Sequence, residues 1–354
     1  MKAKILITIP NIKAPGGVSY YWDAIVPHLA NYDEIACKTF EVGAYGTNLL
    51  APIKDLWNFR KEVKAKTKVV VLNPSLGIKS FFRDAIFSKI LISNKIPFIV
   101  FFHGWDLDFE KTVTNRYINF FKNTFGKAQK IIVLSQEFKK TLRLWGFKGE
   151  IALETTAVDN DLLKNYRHNQ RPRIGDGFRI LFLSRLLKEK GVYETIEAFR
   201  NISKDYSSVQ LTIAGDGAEF EALKQFIKND DNILMTGNVS GKEKINVFST
   251  SDIYCLPSYY GEGLPTTVLE AMAFGIPVIT TRAGGLKTFF QENKMGYFVE
   301  YKNPKGLEQK LRMLISNPED AYKIGKFNHQ FAMKNVMGDK VAKKIYGHIH
   351  DLLY

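Results

Sequence analysis

Residues Tyr259–Gly285 read YYGEGLPTTVLEAMAFGIPVITTRAGG. Composition divides the stretch into three. Tyr259–Pro265 is rich in Gly and Pro and reads as a loop. Thr266–Phe274 is small and apolar without a breaker and reads as a helix. Pro265 is expected at the first helical position, where its missing donor costs nothing. Pro277–Thr281 is a short apolar run of strand length. Two carboxylates sit in the stretch, Glu262 on the loop and Glu270 inside the helix, with seven residues between them. The amides near Leu264–Thr267 fall at the helix N-terminus, where anions are favoured.

The same alternation extends in both directions. Short apolar runs at Arg179–Leu183, Gln210–Ala214, Ile233–Thr236 and Ile253–Leu256 alternate with helical patterns at 192–202, 218–228 and 242–250. An earlier series runs through Lys4–Ile9, Val69–Leu72, Phe98–Phe102 and Ile131–Leu134. Continuously apolar strands alternating with helices imply parallel sheets covered on both faces. Right-handed crossovers then give two doubly wound, Rossmann-like α/β domains. The polar, Gly- and Pro-containing segment Lys164–Phe178 predicts the boundary between them. Ligands of open parallel sheets bind beyond the carboxyl ends of the strands, so a cleft between two such domains is the expected site.

A chain of 354 residues suits two domains. Its 45% hydrophobic and 24% charged content is globular rather than disordered or membrane-embedded. The apolar runs are strand-sized, far short of the roughly 20 residues a spanning helix needs. MKAKILITIP reads as a first strand rather than a leader, so a cytoplasmic protein is expected. Cys37 and Cys255 lie far apart and imply neither disulfide framework nor metal spacing. The net charge of +14 is uneven: residues 1–165 hold 24 Lys/Arg against 15 Asp/Glu. Aromatics interleave with that charge at 57–61, 79–83, 116–122 and 139–145. This pattern suits an anionic membrane surface, or else helix faces whose aromatics turn to the core. No nucleic-acid motif accompanies it.

Ser184–Gly191, SRLLKEKG, follows the first strand of the second domain. Arg185 and Lys190 on a strand-end loop, beside helix-end amides, are groups that bind a diphosphate. They are also placed to stabilise one as it departs. Gly215 and Gly237 close later strands, either as plain turns or as points where backbone approaches a ligand. Glu262 and Glu270 suit vicinal hydroxyls, because a carboxylate can accept two hydrogen bonds. An acid/base pair is the competing assignment.

SRLLKEKG, IAGDG, TGNV and YYGEGLPTTVLEAMAFGIPVITT together resemble the GT-B glycosyltransferases, specifically the retaining family 4, or group 1. The resemblance covers most of the chain and is strongest over Phe182–Gly285. It implies that Arg185 and Lys190 bind the donor diphosphate, Glu262 the donor hexose and Glu270 the nucleotide ribose. Gly263, Leu264, Pro265 and Thr266 would contact sugar and phosphates, with Gly237 and Asn238 near the base. In the first domain, Pro15-Gly16-Gly17-Val18 resembles the family's glycine-rich loop over the donor phosphates. Phe102-His103-Gly104 resembles its histidine beside the donor hexose and acceptor. Glu154–Asp159 departs from the family in lacking an Asn-Gly pair before Val-Asp.

The resemblance implies a donor domain at 166–339 and an acceptor-side domain at 1–165, with a C-terminal helix at 340–354 packing back on the latter. The expected activity is retaining transfer of a hexose from a nucleotide-diphosphate sugar to a glycan or lipid-linked acceptor. Bacterial cell-surface polysaccharide synthesis at the inner face of the plasma membrane is the expected setting. Catalysis is assigned to His103, Arg185, Lys190 and Glu262. No metal or other cofactor is expected, because the two cations can neutralise the diphosphate. Asp106-Leu107-Asp108 is a formal Asp-x-Asp match. A sugar-nucleotide epimerase and a non-catalytic sugar-nucleotide or glycan-binding protein are the rival readings.

Overall fold

The computed structural model describes residues 2–10, 16–43, 51–64, 66–166, 177–261 and 263–354, with backbone alone at 51–52. The chain divides into two compact units. The first comprises Met1–Asp159, Gly261–Leu264 and Gly338–Tyr354, the second Asn160–Tyr260 and Pro265–Met337. Of the expected boundary segment, 167–176 lies outside the described residues.

The first unit runs β1 (Ala3–Pro10), α1 (Gly17–Leu29), β2 (Ile35–Val42), α2 (Ala51–Lys64), β3 (Thr67–Leu72), β4 (Ser75–Leu76), α3 (Ile78–Ser93), β5 (Phe98–Phe101), β6 (Gly104–Trp105), α4 (Leu107–Thr112), α5 (Ile118–Lys122), β7 (Lys130–Val133), α6 (Gln136–Leu144) and β8 (Glu150–Leu153). The second runs β9 (Arg179–Leu183), α7 (Val192–Ser203), β10 (Gln210–Ala214), α8 (Phe220–Phe226), β11 (Ile233–Gly237), α9 (Gly241–Ser249), β12 (Ile253–Leu256), α10 (Thr266–Ala273), β13 (Val278–Thr280), α11 (Leu286–Phe289), β14 (Gly296–Phe298), α12 (Pro304–Ser316) and α13 (Pro318–Asn335). The last helix, α14 (Gly338–His350), belongs to the first unit.

Each unit is built on a six-stranded parallel sheet, ordered β2-β1-β3-β5-β7-β8 in the first and β11-β10-β9-β12-β13-β14 in the second. The central strands are buried throughout, as β5, β7 and β12 are at every position. Helices on both faces explain why their sequences are continuous apolar runs. The edge strand β2, with Lys38, Thr39 and Phe40 half-buried or exposed, lacks that signature and escapes the reading from apolar runs. Strand order reverses between β1 and β3 in one sheet and between β9 and β12 in the other. The chain ends leaving those strands are where such folds bind ligands.

The interleaved aromatics mostly face inward, which fits the alternative reading, helix faces with aromatics turned to the core, at 79–83, 116–122 and 139–145. Phe59, Phe81, Phe121 and Trp145 are at most 1% exposed, and Phe82, Tyr117 and Phe120 pack against the same core. Trp105 stacks on Phe138 with ring centroids 4.4 Å apart. Burying such rings contributes more than leaving them as surface anchors. Trp57, 64% exposed, is the exception.

Helix α14 is fastened to the first unit by Tyr346 stacking on Tyr32 at 3.8 Å and by Lys130, which reaches Asp351 at 2.9 Å. His348 accepts from Lys130 Nζ at Nδ1 (3.2 Å) and therefore donates from Nε2 to Glu154 Oε1 (3.0 Å). The Glu154–Asp159 departure thus gives α14 an anchoring carboxylate.

Candidate active site

In the second unit, β9 ends at Leu183 and the chain passes through Arg185 to a tight turn at Lys188–Lys190. Gly191 caps α7 in the left-handed region, φ 81°. A Cβ there would lie 2.5 Å from the Pro257 carbonyl oxygen, so only glycine fits. The loop after β12 lies alongside because β9 and β12 are neighbours at the switch point. The Glu189 carbonyl accepts from Tyr259 N (2.8 Å), Tyr260 N (3.1 Å) and Ser258 Oγ (3.3 Å). This stitching brings both expected diphosphate ligands to one aromatic ring. Lys190 Nζ lies 4.5 Å and the Arg185 guanidinium 5.4 Å from the Tyr260 centroid. Lys190 is buried and Arg185 exposed.

Glu270 sits in the second turn of α10, 4% exposed. Its Oε1 accepts from Lys244 Nζ at 2.6 Å, while Oε2 is buried without a hydrogen-bond partner among the described residues. Ligand hydroxyls are the natural complement to such an oxygen, since a buried unmatched acceptor is costly. Pro265 precedes α10 as its N-cap, one residue earlier than expected, and Thr266 opens the helix. Its φ of −63° suits either position, but its ψ of 117° holds it extended. Thr267 lies one residue further in, its Oγ1 2.7 Å from the Tyr254 hydroxyl. Gly237 ends β11, its carbonyl accepting from Gly215 N at 2.7 Å, and Asn238 beyond it is exposed.

In the first unit, β1, β3 and β5 end together around His103. Asn73 Nδ2 donates to the Thr8 carbonyl at 2.6 Å, which turns its Oδ1 toward His103 Nε2, 3.0 Å away. The imidazole therefore donates from Nε2 and keeps an acceptor lone pair on Nδ1. Its ring stacks on Phe101 at 3.8 Å and meets Tyr21 edge-on at 4.8 Å. Burial pushes its pKa down from 6.5 to about 3. The histidine is neutral at ordinary pH and can position a hydroxyl but not act as an acid.

Gly263 packs against the His103 carbonyl so closely that a Cβ would fall 2.0 Å from that oxygen. Leu264 is buried, its carbonyl 3.3 Å from Thr156 Oγ1. Gly16 caps α1 in extended conformation, and nothing among the described residues lies within 4 Å of a Cβ built on Gly17. Glu262 and Pro15 lie outside the described residues. The carboxylates of the Asp-x-Asp match have local partners. Asp106 caps α4 through Asp108 N (2.9 Å) and Phe109 N (3.0 Å), and Asp108 pairs with Lys111 at 2.7 Å.

Residues 165–331 match the family model of the glycosyl transferases group 1. That span carries Arg185, Lys190, Gly237, Asn238 and the two glutamates. Over that span, a little under half of the chain, it is similar to the group 1 glycosyltransferases. It is 28% identical to the glycosyltransferase MJ1178 of Methanocaldococcus jannaschii over 98% of this chain and 99% of that one. It is 27% identical to a teichuronic acid biosynthesis glycosyltransferase, TuaC, of Bacillus subtilis, and 28% identical to a colanic acid biosynthesis glycosyltransferase, WcaL, of Escherichia coli. Those matches cover 57% and 62% of this chain and only 51% and 55% of the relatives. Among solved structures, a Rickettsia africae glycosyltransferase superposes with a TM-score of 0.75 at 20% identity, each chain covered to 99%. Anabaena HepE in complex with UDP superposes at 0.73 and 14% identity, covering 98% of this chain and 100% of that one. The fold of this glycosyltransferase is therefore GT-B.

Sequence reasoning missed three residues of the glycosyltransferase. Lys244 stands three and four residues before the buried Val247 and Phe248 of α9, a lysine on the inward stripe, and that spacing could have flagged it. Asn73 directly follows a buried strand and precedes Pro74, a weaker signal. Tyr260 lies within Tyr259–Gly285, but nothing local tells that two cations meet it.

His103 also gives the glycosyltransferase an acid-labile point. The unfolded imidazole binds a proton near pH 6.5 and the folded one only near 3. The unfolded state therefore holds more protons between those values, and stability present above 6.5 is lost as pH falls. At pH 5 the loss is about 2 kcal/mol. Urea unfolding from pH 7.5 to 5 should show His103→Gln less acid-sensitive than wild type by that amount. Parallel curves would contradict the burial assigned to this ring.

Proposed function

We propose that the chain is a retaining hexosyltransferase using a nucleotide-diphosphate sugar, with a glycan or lipid-linked acceptor of cell-surface polysaccharide synthesis. The observation that carries this reading is the convergence of Arg185 and Lys190 on Tyr260 at the switch point of the group 1 domain. Arg185 and Lys190 stabilise the departing diphosphate. Glu270 accepts the ribose, Gly237 and Asn238 flank the base, and Glu262 and the Nδ1 lone pair of His103 position the hexose. Gly16 and Gly17 are assigned to the donor phosphates by their likeness to the family's glycine-rich loop. Attack comes from the face the diphosphate leaves, through an oxocarbenium-like state, and the leaving phosphate accepts the acceptor's proton. No metal is assigned a part. The polysaccharide setting draws on TuaC and WcaL, named for teichuronic and colanic acid biosynthesis, and the donor class on HepE's complex with UDP.

The deciding experiment screens UDP-, GDP- and ADP-sugars by thermal stabilisation, then assays transfer and anomeric outcome with and without chelator. A binder raises the melting point by mass action. Glu270→Ala should weaken the corresponding nucleoside diphosphate about 10- to 100-fold by calorimetry, the cost of losing hydrogen bonds to a charged acceptor. Inverted product, or activity abolished by chelator, defeats the mechanism.

Peripheral attachment to the inner face of the membrane forms part of the proposal. No helix among the described residues is long and apolar enough to cross a membrane. Helix α2 exposes Ile53 (62%) and Trp57 (64%) beside Lys54, Arg60, Lys61 and Lys64, while Asp55 is buried and Glu62 pairs with Lys4 and Lys38. Each basic residue near an anionic surface contributes about 1 kcal/mol. Replacing those four with Gln should cut flotation with phosphatidylglycerol vesicles roughly a hundred-fold or more. Wild-type protein that fails to float, or floats equally at high salt, counts against attachment.

A further inference from the structure

Tyr260 is the third member of the Arg185–Lys190 cluster, and nothing in the proposed mechanism uses it. Its ring lies within 6 Å of both cations, the range in which the electron-rich face of an aromatic attracts positive charge. Its backbone is held by the Glu189 carbonyl (3.1 Å) and by Ser258 Oγ (3.2 Å), on the loop leaving β12. The ring is therefore fixed to one strand end while the cations come from its neighbour, β9. Two like charges that converge on a ligand repel one another before it arrives. A shared aromatic face offsets that repulsion. Lys190, 5% exposed, is the more desolvated of the two and gains most from the ring.

We infer that Tyr260 is a positioning residue that pre-aligns Arg185 and Lys190 for the donor diphosphate, acting through its ring face rather than its hydroxyl. The inference rests on the diphosphate assignment of those two cations. Tyr260 is 37% exposed, so replacing it removes little core.

UDP, GDP and ADP, and the matching nucleosides, are titrated into wild type, Tyr260→Phe and Tyr260→Leu. Tyr260→Leu should bind the preferred diphosphate roughly 5- to 30-fold more weakly, the effect of two exposed-to-partly-buried cation–π contacts. Its nucleoside affinity and melting temperature should hold. Tyr260→Phe should restore diphosphate binding to within about threefold, since the ring face is kept. In an Arg185→Gln/Lys190→Gln background, Tyr260→Leu should have no further effect.

Unchanged diphosphate binding in Tyr260→Leu overturns the inference. So does an equal loss of nucleoside binding, which would mean the ring touches the ligand or merely supports the loop. An effect that persists without the two cations, or failure of Tyr260→Phe to rescue, overturns it as well. If Arg185→Gln/Lys190→Gln itself binds diphosphate like wild type, or wild type binds none of the three, the diphosphate assignment falls first, and the role of Tyr260 with it.

Discussion

Lys190→Ala should lower the rate of sugar transfer about 10²- to 10³-fold, the range seen when one preorganised group facing developing charge is removed. The lysine closes the turn after β9, its amide donating to Leu187 O at 3.0 Å, and its ammonium lies over the Tyr260 ring. The backbone bond survives the substitution, so the turn should persist and the variant should remain folded. Arg185 remains beside the same ring, so under the proposed mechanism some stabilisation of the departing diphosphate should persist. Steady-state transfer with saturating donor, alongside a thermal melt, checks both halves. A folded variant with wild-type turnover would remove Lys190 from the chemistry.

Gly191→Ala should destabilise the second unit by about 2–5 kcal/mol and abolish transfer. Two costs add. A β-carbon at φ 81° costs about 1–2 kcal/mol. The new atom would also lie 2.5 Å from Pro257 O and 2.7 Å from Pro257 Cγ, and overpacking of this kind costs about 1–3 kcal/mol. Relief requires the β9 and β12 loops to separate. That movement carries Lys190 away from Tyr260, so activity should fall even where the variant folds. Urea unfolding with a wild-type midpoint would refute the close approach.

Much of the fold is legible in the sequence. Val278–Thr280 and Arg179–Leu183 announced themselves as doubly covered strands, and Arg185, Lys190 and Glu270 follow from strand-end and helix position. Misreadings had local causes. Pro265 fits an N-cap as well as a first turn, and its neighbours do not tell the two apart. The aromatics at 79–83 and 116–122 sit between basic residues in the sequence, yet Phe81 and Phe121 are buried while Lys79 and Lys122 are exposed. Strand β2 lacked a continuous apolar run because an edge position does not demand one.

The period of apolar residues, a local quantity, was enough to specify two parallel α/β sheets and the strand-end loops that carry Arg185 and Lys190. Which loops meet was decided elsewhere. Tyr260 lies beneath Arg185 and Lys190 because β12 pairs with β9 rather than with β11, its predecessor in the chain. Lys244 reaches Glu270 from a different helix, and His103 takes its tautomer from Asn73, thirty residues away. Strand order and helix packing are set by burial over the whole fold. A residue's own neighbours in sequence carry no record of the partner it will face across a sheet.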